Sequence, residues 1–203
     1  METIDKLFGK WEFNVEVLDL GLQSYLNLKP VFVPHSGGKH SARRFWKAEK
    51  VNVVERLINK LMRNSVGKKK FGGHFIRGAR GTGKKSLAIN IVKETFELIE
   101  LRTGANPIQV FIDAIQNAAP REETTTIIYG GVHYHQAVDI APMRRIDMAL
   151  KNIVVAAKGN CFNKKMRIQE SLAAEIMEAA NNDPKSFAIK KKEEMERIAQ
   201  SSR

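Results

Sequence analysis

The chain has 203 residues and 22.9 kDa, of which 43% are apolar and 28% charged, enough to build a hydrophobic core and too apolar for a chain disordered throughout. No apolar run approaches the roughly 20 residues of a membrane span, the first residues carry no basic or long apolar leader, and Cys161, the one cysteine, makes neither an internal disulfide nor a cysteine-rich zinc site, so a reducing cytosolic compartment is expected. Lys and Arg number 34 against 22 Asp and Glu, a net charge of +12, and the excess is concentrated: residues 39–85 hold 15 basic residues against only Glu49 and Glu55.

A field that dense repels itself unless an anion neutralises it, and nucleic acid is the anion it points to. A solubilising face would spread its charge. An anionic membrane fits less well, because the helix within the basic block has polar residues on several sides and no Trp or Phe anchor.

In chain order, Phe13, Val15 and Val17 alternate with Glu12, Asn14 and Glu16, which predicts a short strand over 11–18. Residues 34–40, rich in Pro, Ser and Gly, read as a loop. Val51, Val54, Ile58 and Leu61 recur at helical spacing over 51–63, with Arg56, Asn59, Lys60 and Arg63 expected on the wet face. Residues 64–84 read as a long basic loop. From Ser86 to Arg102 the helical period is strong, with Leu87, Ala88, Ile91, Val92, Thr95, Leu98 and Ile99 on one face and Gly104 as the cap. Asn106-Pro107 starts the next helix, which runs through Ile108, Phe111, Ile112 and Ile115 and stops before Pro120.

The period then becomes two. Thr124–Tyr129 and Val132–Val138 flank Gly130-Gly131, a two-residue hairpin signal. Pro142 opens a helix through Ile146, Ala149, Leu150, Ile153 and Val154, expected to end at Gly159; another spans 165–180, and a charged last helix over 186–200 is expected to dock through Met195, Ile198 and Ala199. The expected fold is mainly α: a bundle of about six helices with an inserted, protruding β-hairpin and a basic N-terminal extension. Residues 1–50 form the extension, with a short strand and basic loop, and 51–203 the helical domain, with its hairpin at about 124–138.

Gly78-Ala79-Arg80-Gly81-Thr82-Gly83-Lys84-Lys85 nearly fits the phosphate-binding loop of nucleotide hydrolases, and a P-loop-like nucleotide-binding protein is the alternative reading. Lys85 stands where that motif needs the Mg²⁺-binding hydroxyl, Ser86 comes one residue late, and no buried parallel strand precedes the loop. Val110-Phe111-Ile112-Asp113 imitates the second nucleotidase motif but falls inside a helix. A DNA-binding helical protein fits poorly, because the basic field lies over loops rather than one recognition helix. His133 and His135 share a strand face without further ligands nearby, so no metal or other cofactor is expected. Adjacent Arg121-Glu122-Glu123 read as salt-bridging and capping residues, and nothing places a base beside a nucleophile. Arg144-Arg145 lie in the first turn of a helix, where positive charge opposes the dipole and a bound phosphate would reverse the argument.

Residues along nearly the whole chain resemble the small-subunit ribosomal protein seven family in its archaeal and eukaryotic form. The carriers are Leu7-Phe8-Gly9-Lys10-Trp11, Pro34-His35-Ser36-Gly37, Val53-Val54-Glu55-Arg56-Leu57-Ile58-Asn59-Lys60, Asn106-Pro107-Ile108-Gln109-Val110, Ala118-Ala119-Pro120-Arg121-Glu122-Glu123-Thr124-Thr125, Ala137-Val138-Asp139, Ser186-Phe187-Ala188-Ile189-Lys190-Lys191-Lys192 and Arg197-Ile198-Ala199-Gln200-Ser201-Ser202-Arg203. The first of these blocks looks archaeal rather than bacterial. The resemblance implies a non-enzymatic ribosomal protein that binds the 3′ major domain of small-subunit (16S-type) rRNA and nucleates assembly of the head. It further implies a place at the subunit interface near the exit-site tRNA and the mRNA exit path, among other head and platform proteins.

Chemistry and resemblance together nominate Lys39, His40, Arg43, Arg44, Lys47, Arg56, Lys60, Lys68, Lys69, Lys70, Arg77, Arg80, Lys84, Lys85, Arg144 and Arg145 as rRNA contacts. Tyr129, Gly130, Gly131, His133 and Tyr134 are the hairpin residues expected near tRNA or mRNA. The hairpin tip lacks the arginines of bacterial relatives, so stacking by Tyr129 and Tyr134 is the contact it offers.

Overall fold

The computed structural model describes residues 6–30, 44–62 and 83–203, without the side chains of 44–46. The loop at 34–40 and nearly all of the basic loop at 64–84 lie outside these residues, as do the candidates Lys39, His40, Arg43, Lys68, Lys69, Lys70, Arg77 and Arg80 and the side chain of Arg44.

Two short strands, β1 (Lys6–Leu7) and β2 (Trp11–Glu12), pair antiparallel around a turn in which Phe8 and Gly9 take positive φ. Helix α1 (Leu20–Gln23) follows, capped by the Asp19 carboxylate on the Gly21 amide. Then come α2 (Arg44–Lys50), α3 (Val53–Leu61), α4 (Lys85–Thr103), α5 (Pro107–Ala118), the hairpin β3 (Glu122–Tyr129) and β4 (Val132–Asp139), α6 (Pro142–Cys161), α7 (Ile168–Ala180) and α8 (Phe187–Gln200). Eight helices therefore stand among the described residues where about six were expected. The additions are α1 and α2, each too short to show a period in sequence.

The predicted strand over 11–18 shrinks to Trp11–Glu12. Its alternation is real, since Phe13, Val15 and Val17 are half-buried and Glu12, Asn14 and Glu16 exposed. The backbone beyond Glu12 finds side-chain amides of α5 instead of a second strand. Gln109 accepts from the Glu16 amide at 2.9 Å and donates to its carbonyl at 3.1 Å, and Gln116 accepts from the Asp19 amide at 2.8 Å. These bonds meet the backbone's hydrogen-bonding demand without a ladder.

Local punctuation explains the helix limits. Asn106 caps α5 through the Ile108 amide with Pro107 at N1, and Gly104 ends α4 at φ 67°, a conformation that costs glycine nothing. Gly159 does not end α6, which continues to Cys161. Its last turns lie under α7, where the Ser171 hydroxyl donates to the Ala157 carbonyl at 2.9 Å, and packing outweighs glycine's weak helix preference.

One core joins these elements. It is built from Leu57 and Ile58 of α3, Val92, Phe96 and Ile99 of α4, Phe111, Ile112 and Ile115 of α5, Ile146, Leu150 and Ile153 of α6, and Leu172 and Ile176 of α7. The N-terminal segment adds Trp11, Leu22 and Leu26 to it. Leu87, expected inside, is exposed, and Phe96 replaces it on the buried face of α4. In α8 the docking residues are Ala188, Ile189 and Ala199, whereas Ile198 is exposed. Ser186 and Glu175 set that docking: the buried Glu175 carboxylate accepts from the Ser186 hydroxyl at 2.7 Å and from the Ala188 amide at 3.0 Å.

The β3–β4 hairpin leaves this core. Its turn puts Gly130 and Gly131 at φ 58° and 80°, the two positive values of a type I′ two-residue turn, and fixes Tyr129 opposite Val132. Burial falls from the root to the tip. At the root Glu196 of α8 accepts from the Arg121 amide at 2.9 Å, Glu122 pairs with Arg203, and Glu123 pairs with Arg144 at 2.8 Å.

Candidate nucleic-acid interface

Nucleated by Asn52, whose side chain caps the Val54 amide, α3 has two faces: Val54, Leu57, Ile58 and Leu61 enter the core, while Arg56 and Lys60, one turn apart, approach α6. Asn27 holds the preceding α2 in place, donating to the Glu49 carbonyl at 2.7 Å and accepting from the Lys29 amide. Lys47 of α2 is thereby brought to the same place. All three cations meet Asp147 of α6: Lys47 at 2.7 Å, Arg56 at 3.4 Å and Lys60 at 3.4 Å.

Arg56 is a correction to the wet face expected of this helix. It is 1% exposed, donates to the Tyr25 carbonyl at 3.2 Å, and leaves its Nε buried without a partner. It organises the interior of the site and presents no surface to a ligand. Lys60 and Lys47 remain partly exposed.

Beside this cluster lies a groove of about 540 Å³ lined by Tyr25, Lys47, Lys60, Ala141, Pro142, Met143, Arg144, Asp147, Met148 and Lys151. Arg144 is the most open of its paired cations, with a side chain 59% exposed despite the ion pair to Glu123. Lys151 is exposed and has no ion-pair partner among the described residues. Sequence reading missed Lys151, Asp147 and Tyr25. The spacing of Arg144, Asp147 and Lys151, three and four residues apart, puts them on one face of α6 and was the available signal.

Arg145 serves a different purpose from Arg144. It is drawn under the N-terminal segment, pairing with Asp19 at 2.7 Å and donating to the Pro120 carbonyl at 3.1 Å, with 11% of its side chain exposed. The positive charge in the first turn of α6 is thus answered by Glu123 and Asp19, protein carboxylates from outside the helix, in place of the phosphate invoked from sequence. Glu122 and Glu123 do form ion pairs, with partners far along the chain. Lys85 is paired with the nearly buried Glu55 at 2.5 Å and stays partly exposed, whereas Lys84 is exposed.

The hairpin offers different chemistry. From Glu122 to Met143 there is no Lys or Arg. Cross-strand register puts Ile127 opposite Tyr134 and Tyr129 opposite Val132 on one face, and Ile128 opposite His133 and Thr126 opposite His135 on the other. Tyr129 and Tyr134 are 79% and 55% exposed. His135 Nδ1 lies 3.2 Å from the Thr126 hydroxyl.

Asp113, which imitates the nucleotidase aspartate, sits within α5 and accepts from Gln109 at 3.0 Å and Gln116 at 3.2 Å. It orients the two amides that hold the N-terminal segment.

Burial acts to raise the carboxyl pKa values of Asp19 and Asp147, but their cations outweigh it and hold both below the usual carboxylate range: Arg145 for Asp19, and Lys47, Lys60 and Arg56 for Asp147. With the folded pKa depressed, the stabilisation is complete above the unfolded value of about 3.9 and is lost as pH falls through the lower folded values. Urea unfolding between pH 5 and pH 2.5 is expected to show Asp19→Asn with a shallower acid limb than the parent; equal limbs would contradict this origin of acid sensitivity.

The sequence-family model described as Ribosomal protein S7p/S5e matches residues 22–203, a span that contains every groove residue and the whole hairpin.

Proposed function

The chain belongs to the ribosomal protein S7p/S5e family, whose members are ribosomal, RNA-binding structural proteins and not enzymes, and from this premise we propose that it is a primary binder of small-subunit rRNA. Its target is the 3′ major domain of 16S-type rRNA, whose folding into the subunit head it nucleates. Its place is in the cytoplasmic small subunit, at the interface near the exit-site tRNA and the mRNA exit path, beside other head and platform proteins. The chain is of the archaeal type.

The observation that carries this reading is the groove that brings Lys47, Lys60, Arg144 and Lys151 together from α2, α3 and α6, the first two held by Asp147. Packed helices fix the backbone positions from which these cations project, so the array matches a folded phosphate backbone better than a flexible one. Lys39, His40, Arg43, Arg44, Lys68, Lys69, Lys70, Arg77, Arg80, Lys84 and Lys85 extend the electrostatic field along the chain. Arg56 and Arg145 support it from inside. The hairpin, free of cations and tipped by Tyr129, Gly130, Gly131, His133 and Tyr134, contributes stacking surface rather than charge.

The test is binding of a 3′ major domain transcript against a scrambled RNA of equal length across a salt series. Both affinities are expected to fall steeply with salt, as for any protein that displaces counterions from several phosphates. A preference of about tenfold or more for the rRNA, persisting at about 0.15 M salt, supports the proposal. Equal binding throughout would reduce the basic block to a non-specific field and overturn it.

A further inference from the structure

Asp147 is out of place on electrostatic grounds. It lies in the wall of a groove whose other charged lining residues, Lys47, Lys60, Arg144 and Lys151, are all cations, and its charge repels the phosphates they attract. Its contacts show what it does there. Oδ1 and Oδ2 receive Lys47 of α2 at 2.9 and 2.7 Å, while Oδ1 also receives Arg56 and Lys60 of α3 at 3.4 Å each. Two lysines rich in rotamers are thereby held, before any ligand arrives, against a third cation that is buried and cannot move away. Without the carboxylate, the repulsion of buried Arg56 would drive Lys47 and Lys60 apart into solvent.

We infer that Asp147 is a positioning residue for RNA specificity: it lowers the groove's attraction for RNA in general and fixes the spacing of Lys47 and Lys60 that a particular phosphate arrangement must match. This rests on the RNA-binding reading above and adds to it a residue that lowers affinity for RNA in general yet raises it for the RNA whose phosphates match the fixed lysines. The alternative role, a counterion that only keeps Arg56 buried, makes a different prediction, because stability would change and discrimination would not.

The experiment measures affinity of the full chain for the 3′ major domain transcript and for the scrambled RNA, together with thermal unfolding. For Asp147→Asn the scrambled RNA is expected to bind as tightly as before or about twofold more tightly, and the 3′ major domain about tenfold more weakly, so that the ratio between them falls below about threefold. Asp147→Glu is expected to restore part of the ratio. The double substitution Arg56→Met with Asp147→Leu replaces the buried guanidinium and its partly exposed carboxylate by apolar groups and is expected to keep the protein folded if the single variant unfolds; its ratio is expected to stay low although its unfolding temperature approaches that of the parent. If the folded variants keep the parent's ratio, Asp147 is only a counterion and the inference is overturned. If the parent itself shows no preference, the rRNA proposal fails first and takes this inference with it.

Discussion

Replacing Lys60, Arg144 and Lys151 together by alanine is expected to weaken binding to the 3′ major domain about 100-fold at 0.1 M salt and to lower the slope of log affinity against log salt by about 2–3. Each side chain lines the groove from α3 or α6, and each contributes about 1 kcal/mol as one phosphate contact at a partly solvated site, so three amount to about two powers of ten. The fold has little stake in them. Asp147 keeps Lys47 and Arg56, and Arg144 loses a surface pair whose stabilising value is small. A matched triple substitution of Lys190, Lys191 and Lys192 on α8, away from the groove, is expected to reduce affinity less than about fivefold. Equal losses from the two triples would show that the groove has no special part in binding.

The second large effect is on stability. Phe96→Ala is expected to cost about 3–5 kcal/mol, a large share of the roughly 5–15 kcal/mol by which domains of this size are stable. Phe96 is fully buried in α4 and stands between two rings, Trp11 at 5.9 Å in edge-to-face geometry and Phe111 at 5.8 Å. Trp11 in turn meets Phe8 edge-on at 6.3 Å. The row ties the N-terminal hairpin to α4 and α5, so the cavity left by alanine would be felt at both ends. Urea unfolding followed by circular dichroism gives the loss, and a red shift of tryptophan emission is expected as Trp11 gains contact with water. Leu87→Ala, exposed on the same helix, should change stability by less than about 0.5 kcal/mol. A Phe96→Ala loss no larger than that of Leu87→Ala would remove the aromatic row from any role in holding the N-terminal segment.

Legibility in the sequence followed the range of the forces involved. Asn106-Pro107, Gly104 and Gly130-Gly131 were readable because a cap or a two-residue turn is decided by the residues that form it. The long faces of α4, α5 and α6 were readable because burial repeats every three or four residues. Helices α1 and α2 were not, being about one or two turns long and held by distant groups such as the bond between Asn27 and Glu49. The strand expected beyond Glu12 failed for a related reason: its alternation was correct, but its backbone found glutamine side chains 93 and 97 residues away. Gly159 misled because packing against α7 overrode a local preference.

The candidate site divides along the same line. By itself the sequence determined a mainly helical chain, the place of its hairpin, the concentration of positive charge over 39–85 and, through motifs spread along its length, the family. Composition, local periodicity and turn residues carry the first three; the resemblance of the motifs carries the last. Only the tertiary structure decided which cations face outward. Arg56 and Lys60 stand one turn apart on α3, yet Arg56 is sealed beneath Tyr25 and Asp147 while Lys60 lines the groove. Asp147 lies 91 residues from Arg56, and no periodicity reports such a distance; whether a charge is spent inside the protein or left for a ligand depends on which helix packs against it.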